Sequence, residues 1–165
     1  MTPEKKLQIL MIITIVLIVG GIVAAVILTK TEATAGAPKM ATDSTNYNFG
    51  KVSMVDGLVK HNFIIRNDGD GDLRLSNIKT SCMCTTAVLI VDGQRSQSFG
   101  MHDASVSWSK KIKPGQSAEL EITFDPNAHG PDATGPITRE ITMYSNDGGR
   151  PDVRTKFVIS ADVIK

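Results

Sequence analysis

The sequence has no excess of either charge and contains very few cysteines and tryptophans. It carries 18 Lys and Arg against 17 Asp and Glu, with two Cys and one Trp. From Ala33 onward, 15 residues of each sign remain. A neutral chain gives no electrostatic reason to bind nucleic acid, so we expect no nucleic-acid partner. Because Cys82 and Cys84 are the only cysteines, any disulfide within the chain must join these two residues.

Motifs typical of catalytic sites are also missing. The chain contains no glycine-rich phosphate loop and no His-Glu-x-x-His pair. A cysteine nucleophile needs a histidine and an orienting group beside it, and Cys84 with His61 or His102 stays open as such a pair, since a sequence does not show spatial neighbours. We therefore predict that the protein is not an enzyme.

One long apolar run lies near the N-terminus. Residues 7–29 carry no charged side chain and are dominated by Ile, Val and Leu. Because about 20 such residues in a helix span a bilayer, we predict a single transmembrane helix over 7–29. Lysines at positions 5 and 6 favour a cytoplasmic location for residues 1–6. A cleaved signal peptide is the alternative, but the run exceeds the usual apolar core of about 7–15 residues.

Two features flank or interrupt this apolar run. Gly20 and Gly21 would allow a second helix to approach closely, and we take them as candidate partner contacts. Residues 30–46 are small and polar without hydrophobic periodicity, which predicts a flexible linker.

Residues 47–165 show the period-two alternation of half-buried strands. Gly, Asn, Asp and Pro clusters separate the alternating runs, and no stretch has a convincing helical period. The pattern predicts an all-β domain, an immunoglobulin-like sandwich of seven to eight strands. The clearest alternating apolar positions are Val59, His61, Phe63 and Ile65, then Ala118, Leu120, Ile122 and Phe124, and finally Phe157, Ile159, Ala161 and Val163.

An ordered set of motifs resembles the bacterial domain-of-unknown-function family 1573, a Hydin-related group of Ig-like domains. The motifs are Tyr47–Val52, His61-Asn62-Phe63, Asn67-Asp68-Gly69, Ser81–Thr85, Pro114-Gly115, Ile122–Asp125 and Tyr144–Asp147. The resemblance implies a small Ig-like domain that is anchored in or exported across a membrane. We accordingly expect a bacterial inner-membrane protein with its domain in the periplasm. The resemblance implies no established activity.

The chain departs from the family pattern at two places. Met83 lies between the cysteines where the family usually has Gly, and about 20 extra residues, near 92–111, precede the Pro-Gly turn. Long loops without regular structure are usually functional, so this insertion is a candidate partner-binding segment. Its apolar residues Phe99, Met101 and Trp108 are of the kind that anchor interfaces. For Trp108, a strand over 105–112 that packs it into the core is the competing interpretation.

The Cys-Met-Cys sequence leaves three interpretations open. The first is a structural pair, as buried thiols or as a local disulfide, although residues i and i+2 of a regular strand lie at the edge of bridging distance. The second is a Cu(I) site, which thiolate and thioether ligands favour. The third interpretation is a redox pair.

A copper site at the two cysteines would need further ligands from histidine or methionine side chains. Met101 and His102 are the candidates beside Cys82 and Cys84, if the insertion folds back. His61 alternates in phase with core positions, which predicts a core histidine. His129 lies in an Asn-Ala-His-Gly-Pro turn and is expected to be solvated.

Two functional hypotheses follow from these features. The first is a membrane-anchored interaction module, a scaffold or accessory subunit without a cofactor that binds protein partners. The second is a Cu(I)-binding or thiol-redox protein that works through Cys82 and Cys84.

Overall fold

A computed structural model of the protein describes residues 3–28, 36–102 and 107–165. The chain divides into two compact units, one with the N-terminal helix and the other comprising Gly36–Lys165. Position 29 of the predicted anchor, residues 30–35 of the predicted linker and residues 103–106 of the insertion lie outside the described residues.

The N-terminal helix, α1, comprises Pro3–Leu28. From Leu10 to Val19 its large hydrophobic side chains are all more than half exposed, between 51% and 69%. Among the residues that the structure describes, no helix is both long and apolar enough to cross a membrane. The prediction of a transmembrane segment over residues 7–29 is therefore not confirmed.

The second unit is a β-sandwich of two five-stranded sheets, which confirms the predicted Ig-like all-β class. The first sheet has the order β1-β3-β8-β5-β6 and the second β2-β10-β9-β4-β7. Ten strands are described where seven to eight were predicted. They are β1 Met40–Thr42, β2 Asn46–Ser53, β3 Val59–Asn67, β4 Leu73–Thr80, β5 Thr85–Val91, β6 Gln94–Arg95, β7 Ser109–Ile112, β8 Ser117–Phe124, β9 Gly135–Ser145 and β10 Val153–Ile164.

The core lies between the sheets and is built from the alternating positions. On β3, Phe63 and Ile65 have no accessible surface, whereas Ile64 between them is 37% exposed. Phe63 meets Phe157 of the opposite sheet with ring centroids 4.9 Å apart. The predicted alternation on β3, β8 and β10 is therefore confirmed, because one face of each strand is buried in the sandwich.

The segment predicted as a linker is partly structured. β1 falls within residues 30–46 and pairs antiparallel with the end of β3, where Met40 lies opposite Asn67. The Met40 N–H also donates to Asp147 Oδ1 at 2.7 Å. Small polar residues carry little strand signal of their own, and these partners are distant in the sequence, so composition alone predicts a linker here.

The insertion is also ordered in its described part. Asp92 and Gly93, both with positive φ, turn the chain into β6, which pairs with β5. Phe99 then bridges Ala87 of β5, and after the gap at 103–106 the chain continues as β7 on β4 of the other sheet. The described residues of this insertion thus add a strand to each sheet.

The pairing registers bring three loops to one end of the sandwich. Val59 and Thr85, which begin β3 and β5, both lie opposite Phe124, the last residue of β8. The loops that adjoin these residues are 54–58, 81–84 and 125–134, which we call the cysteine end. Residues 36–40, by contrast, adjoin Asn67 at the other end of β3.

Candidate functional site

The two cysteines lie in a tight turn at the cysteine end. The Cα atoms of Cys82 and Cys84 are 5.3 Å apart, and a disulfide joins the two sulfur atoms. The Thr85 N–H donates to the Cys82 carbonyl at 3.2 Å, which closes the turn. Because residues 81–84 bend instead of continuing a strand, the distance falls within bridging range. Met83 lies at the tip and is 65% exposed.

Neighbouring strands hold this turn in place. The hydroxyl oxygen of the buried Thr80 lies 3.1 Å from the Cys82 carbonyl oxygen and 2.9 Å from that of Thr85. On β9, the Glu140 carbonyl accepts from the Ser81 N–H at 2.8 Å, and the Glu140 N–H donates to Ser81 Oγ at 2.9 Å. The turn is therefore tied to both sheets.

Each sulfur has a different basic partner. His129 Nε2 lies 3.2 Å from Cys82 Sγ, and because a disulfide sulfur carries no proton, the imidazole N–H donates in this contact. Arg139 Nε–H donates to Cys84 Sγ at 3.0 Å. The Thr85 hydroxyl lies 3.6 Å from the same sulfur.

The two cysteine residues also differ in exposure. Cys84 is 2% exposed and belongs to the core, whereas Cys82 is only partly buried. His129 is exposed, as predicted for its turn, but its contact with Cys82 was not anticipated. No sequence signal indicated Arg139 either, because the contacts join residues 47 and 55 positions apart.

A cavity of about 310 Å³ adjoins these residues. His129 and Arg139 both line it, so the groups that contact the sulfurs also face the cavity. The rest of the wall is largely apolar and includes Phe124, Ala133, Ile137 and Val163.

The cluster also bears on the predicted copper site. One ligand atom each of Cys82, Cys84 and His129 lie within 4.8 Å of one another. Two thiolates and an imidazole form a donor set that suits Cu(I) once the disulfide is reduced. The Arg139 guanidinium beside Cys84 disfavours a bound cation, because like charges repel.

One of the two predicted additional copper ligands, His102, lies outside this cluster. His102 is exposed, and Met101 is 38% exposed. Copper binding by Cys82, Cys84, Met101 and His102 stays a prediction.

The residues predicted to contact partners fall into different environments. Phe99 has no accessible surface and meets the partly buried Trp108 with ring centroids 4.7 Å apart. Both side chains pack in or against the core, so Phe99 is a core residue and not a surface contact. A Cβ atom added at Gly20 or Gly21 of α1 would have no described neighbouring atom in contact with it.

The cysteine end exposes apolar side chains from two of its loops. Val55 is 87% exposed and Leu58 59% exposed in the first loop, and Met83 occupies the tip of the second. The third loop lies between them: Asn127 Nδ2 donates to the Met54 carbonyl at 2.9 Å, while His129 reaches Cys82. A second cavity, of about 280 Å³, lies between the first and third loops.

Comparison with known proteins identifies the domain type. The sequence model of the HYDIN/CFA65/VesB-like Ig-like domain family matches residues 38–158. No curated protein matches the chain.

Solved structures share the fold. A protein of unknown function from Porphyromonas gingivalis W83 is 28% identical with a TM-score of 0.55; the match covers 80% of this chain and 50% of that one. The chain thus spans half the length of that relative. The ASH/PapD-like domain 7 of human CEP192 is 12% identical with a TM-score of 0.47, over 78% of this chain and 87% of that one. The secreted serine protease VesC from Vibrio cholerae is 13% identical with a TM-score of 0.47, over 76% and 23%.

Proposed function

The chain belongs to the HYDIN/CFA65/VesB-like Ig-like domain family, and from that premise we propose that it is a membrane-anchored interaction module outside the cytoplasm. Its domain binds a partner protein through the cysteine end, as a scaffold or accessory subunit of an envelope assembly. The finer assignment to domain-of-unknown-function family 1573 is part of this proposal.

The observation that carries the proposal is the set of exposed apolar side chains on adjacent loops. Val55, Leu58 and Met83 are each more than half exposed, and Val55 also lines the cavity between the first and third loops. Burying such side chains against a partner contributes about 25 cal/mol per Å² of apolar surface. Well-packed apolar anchors of this kind supply most of the binding energy of protein interfaces.

The proposed anchor rests on the sequence and on the exposure of α1. Residues 7–29 carry no charge, and described apolar side chains are exposed all round the helix. A helix that is apolar on every face requires an apolar environment. The Thr14 hydroxyl donates to the Leu10 carbonyl at 2.9 Å, so this polar side chain is satisfied within the helix.

The proposed location follows from two further features. Lys5 and Lys6 precede the apolar run, which favours a cytoplasmic N-terminus and an exterior domain. A disulfide between Cys82 and Cys84 is stable in an oxidising exterior compartment and uncommon in the cytoplasm.

Purification from gently solubilised native membranes tests the proposal. We expect the full chain to copurify with a defined partner in fixed stoichiometry by native mass spectrometry. The double variant Val55→Ser, Leu58→Ser should lose at least about tenfold of this partner, because two apolar anchors are removed.

Ile64→Ser is the matched control, since Ile64 is also an exposed apolar residue but lies on the outer face of β3. It should retain the partner. A monomer without partners, or equal loss in both variants, would contradict the proposed role of the cysteine end.

A further inference from the structure

The Cys82–Cys84 disulfide is built asymmetrically, and this asymmetry matches the needs of thiol–disulfide exchange. We propose that it is a reversible exchange site. An incoming thiolate attacks Cys82 Sγ, and Cys84 departs as a thiolate held by Arg139. His129 exchanges a proton with the Cys82 sulfur. This activity goes beyond the interaction module, which needs only a binding surface.

Accessibility selects the sulfur that is attacked. Cys82 is partly exposed at the cysteine end, while Cys84 is 2% exposed and belongs to the core. An attacking thiolate must approach the sulfur along the line of the breaking bond, so exchange requires access to one of the two sulfurs, and the more exposed cysteine is the one attacked.

Arg139 provides the leaving group with a permanent cation. Its Nε–H lies 3.0 Å from Cys84 Sγ, and a guanidinium stays charged at every relevant pH. The Thr85 hydroxyl, 3.6 Å from the same sulfur, offers a second donor. Negative charge that develops on Cys84 is therefore stabilised where it forms, within a protected site where charge-assisted hydrogen bonds are strong.

His129 acts at the other sulfur. Its Nε2 atom is 3.2 Å from Cys82 Sγ, within reach of a proton that the Cys82 thiol carries after reduction. The imidazole can take that proton when Cys82 attacks a disulfide, and return it when Cys82 leaves. His129 and Arg139 also line the 310 Å³ cavity, which leaves room for the residues around an incoming cysteine.

The exchange balances with a dithiol as co-reactant. The first thiolate of the dithiol forms a bond to Cys82 Sγ, the Cys82–Cys84 bond breaks, and its electron pair remains on Cys84. The second thiolate then attacks the dithiol's own sulfur in this mixed disulfide, and Cys82 leaves and takes up a proton. The dithiol is oxidised to a disulfide and releases two protons, while Cys82 and Cys84 are reduced by two electrons. One proton is taken up by Cys82 and the other passes to solvent, because Cys84 remains a thiolate beside Arg139.

Equilibration with glutathione buffers tests reversibility. The full chain in detergent is incubated at graded ratios of reduced to oxidised glutathione, then alkylated and weighed by mass spectrometry. We expect the reduced fraction to change from near zero to near one across the series, with the same end point from either direction. A native disulfide that stays oxidised at every ratio, while the denatured chain is reduced, would overturn the proposal and indicate a purely structural bond.

Reduction rates test the two positioning residues. With dithiothreitol as the probe, Arg139→Met and His129→Ala should each slow exchange about tenfold, which corresponds to one charge-assisted hydrogen bond lost from the transition state. Arg139→Lys keeps the charge and should recover part of the rate. The pH profile of Cys82 alkylation should change in His129→Ala but not in Arg154→Met.

The controls separate this role from a loss of folding. His102→Ala and Arg154→Met remove an exposed histidine and an exposed arginine outside the site, and both should exchange at the original rate. Circular dichroism identifies any variant that fails to fold. If Arg139→Met does not fold, the exchange rate of Arg139→Lys tests the role of that position. Unchanged or faster exchange in folded His129→Ala and Arg139→Lys or Arg139→Met would contradict the assigned roles.

Discussion

The buried side-chain amide of Asn67 lies at the end of the domain opposite the cysteines. Its oxygen and its nitrogen each make two hydrogen bonds. Its Oδ1 accepts from the N–H groups of Lys39 and Gly69 at 3.2 and 3.1 Å, and its Nδ2 donates to the carbonyls of Gly71 and Ile112 at 2.7 and 2.9 Å. One side chain thus joins the segment before β1, the turn after β3 and the end of β7.

Replacing Asn67 by Ala should therefore destabilise the domain substantially. We expect a loss of about 2–4 kcal/mol in the free energy of unfolding, because buried backbone donors and acceptors lose their partner. Chemical unfolding of the full chain in detergent, followed by the fluorescence of Trp108, measures this change. Asn46→Ala, at an exposed asparagine of β2, should change the same quantity by less than about 0.5 kcal/mol. Equal effects would contradict the assigned role.

His61 lies in an aromatic contact at the edge of the sandwich. Its ring stacks on Tyr47 with centroids 3.5 Å apart and meets Phe63 edge-on at 4.7 Å. Burial lowers the pKa of His61 below its usual 6.5, and the nearby Asp43 carboxylate opposes this shift only in part. His61 is half-buried and is not among the buried core residues, so the prediction of a core histidine is wrong.

The lowered pKa of His61 predicts loss of stability in mild acid. Below pH 6.5 the unfolded chain binds a proton at this histidine more readily than the folded chain does, so the free energy of unfolding falls as the pH decreases from 7 to 5. His61→Phe keeps an aromatic ring and removes the titration, so the melting temperature should change less over this range. An unchanged pH dependence would contradict the assignment.

Carboxylates affect a different pH range. Hydrogen bonds from Arg66 and Arg95 hold the pKa values of Asp68 and Glu121 below their usual range. Stability from these pairs is present above the unfolded-state values of 3.8 and 4.5 and is lost as the pH falls further, towards the folded-state values. Measurements between pH 7 and 5 therefore separate His61 from them.

At the scale of elements, the insertion adds strands to the edges of both sheets. β6 continues the first sheet beyond β5, and β7 continues the second beyond β4. Phe99 lies between these two strands in the sequence, bridges Ala87 of β5 and has no accessible surface.

Phe99→Ala should accordingly cost about 3–5 kcal/mol of unfolding free energy, as expected for a large buried side chain. Met101→Ala, two residues later and 38% exposed, should cost less than about 1 kcal/mol. Denaturant unfolding with Trp108 fluorescence distinguishes the two. A small effect at Phe99 would mean that the insertion is not part of the core.

The strands differ in whether the sequence pattern alone can predict them. β3, β8 and β10 are predictable because each buries one face, which imposes the period-two pattern. β1 and β6 are not, since three and two residues carry no measurable period and their pairing depends on remote partners.

The same reasoning holds for the site. The sequence identified Cys82 and Cys84 as the only residues that could form a disulfide within the chain. Pairing of β8 with β5, together with the loop 125–134, brings His129 to Cys82, and the Ser81–Glu140 contacts bring β9 and Arg139 to Cys84. Such neighbours depend on tertiary pairing and leave no local motif.

At the scale of the whole molecule, the exposed apolar loops of the cysteine end lie at the end of the β-sandwich opposite to residues 36–40, where the domain begins. Residues 36–40 adjoin Asn67, at the end of β3 opposite to Val59 and the cysteine end. A partner bound at the cysteine end would therefore leave the segment that leads from α1 uncovered.

The anchor itself can be tested by extraction. The full chain should remain in the membrane fraction after an alkaline carbonate wash, because an apolar helix inserted in lipid is not released by charge reversal. A variant that begins at Gly36 and is exported with a cleavable signal should be recovered in the soluble fraction. Release of the full chain by carbonate would contradict the anchor.

Site-specific photo-crosslinking in living cells tests the central claim most directly. A photoreactive phenylalanine analogue is placed at position 55, 58 or 83 of the cysteine end, and at position 64 or 154 on the outer faces of the sheets. The account predicts one adduct of the same mass at 55, 58 and 83, and none at 64 and 154. Adducts confined to 64 and 154, or no adduct at any position, would contradict the cysteine end as the partner-binding surface.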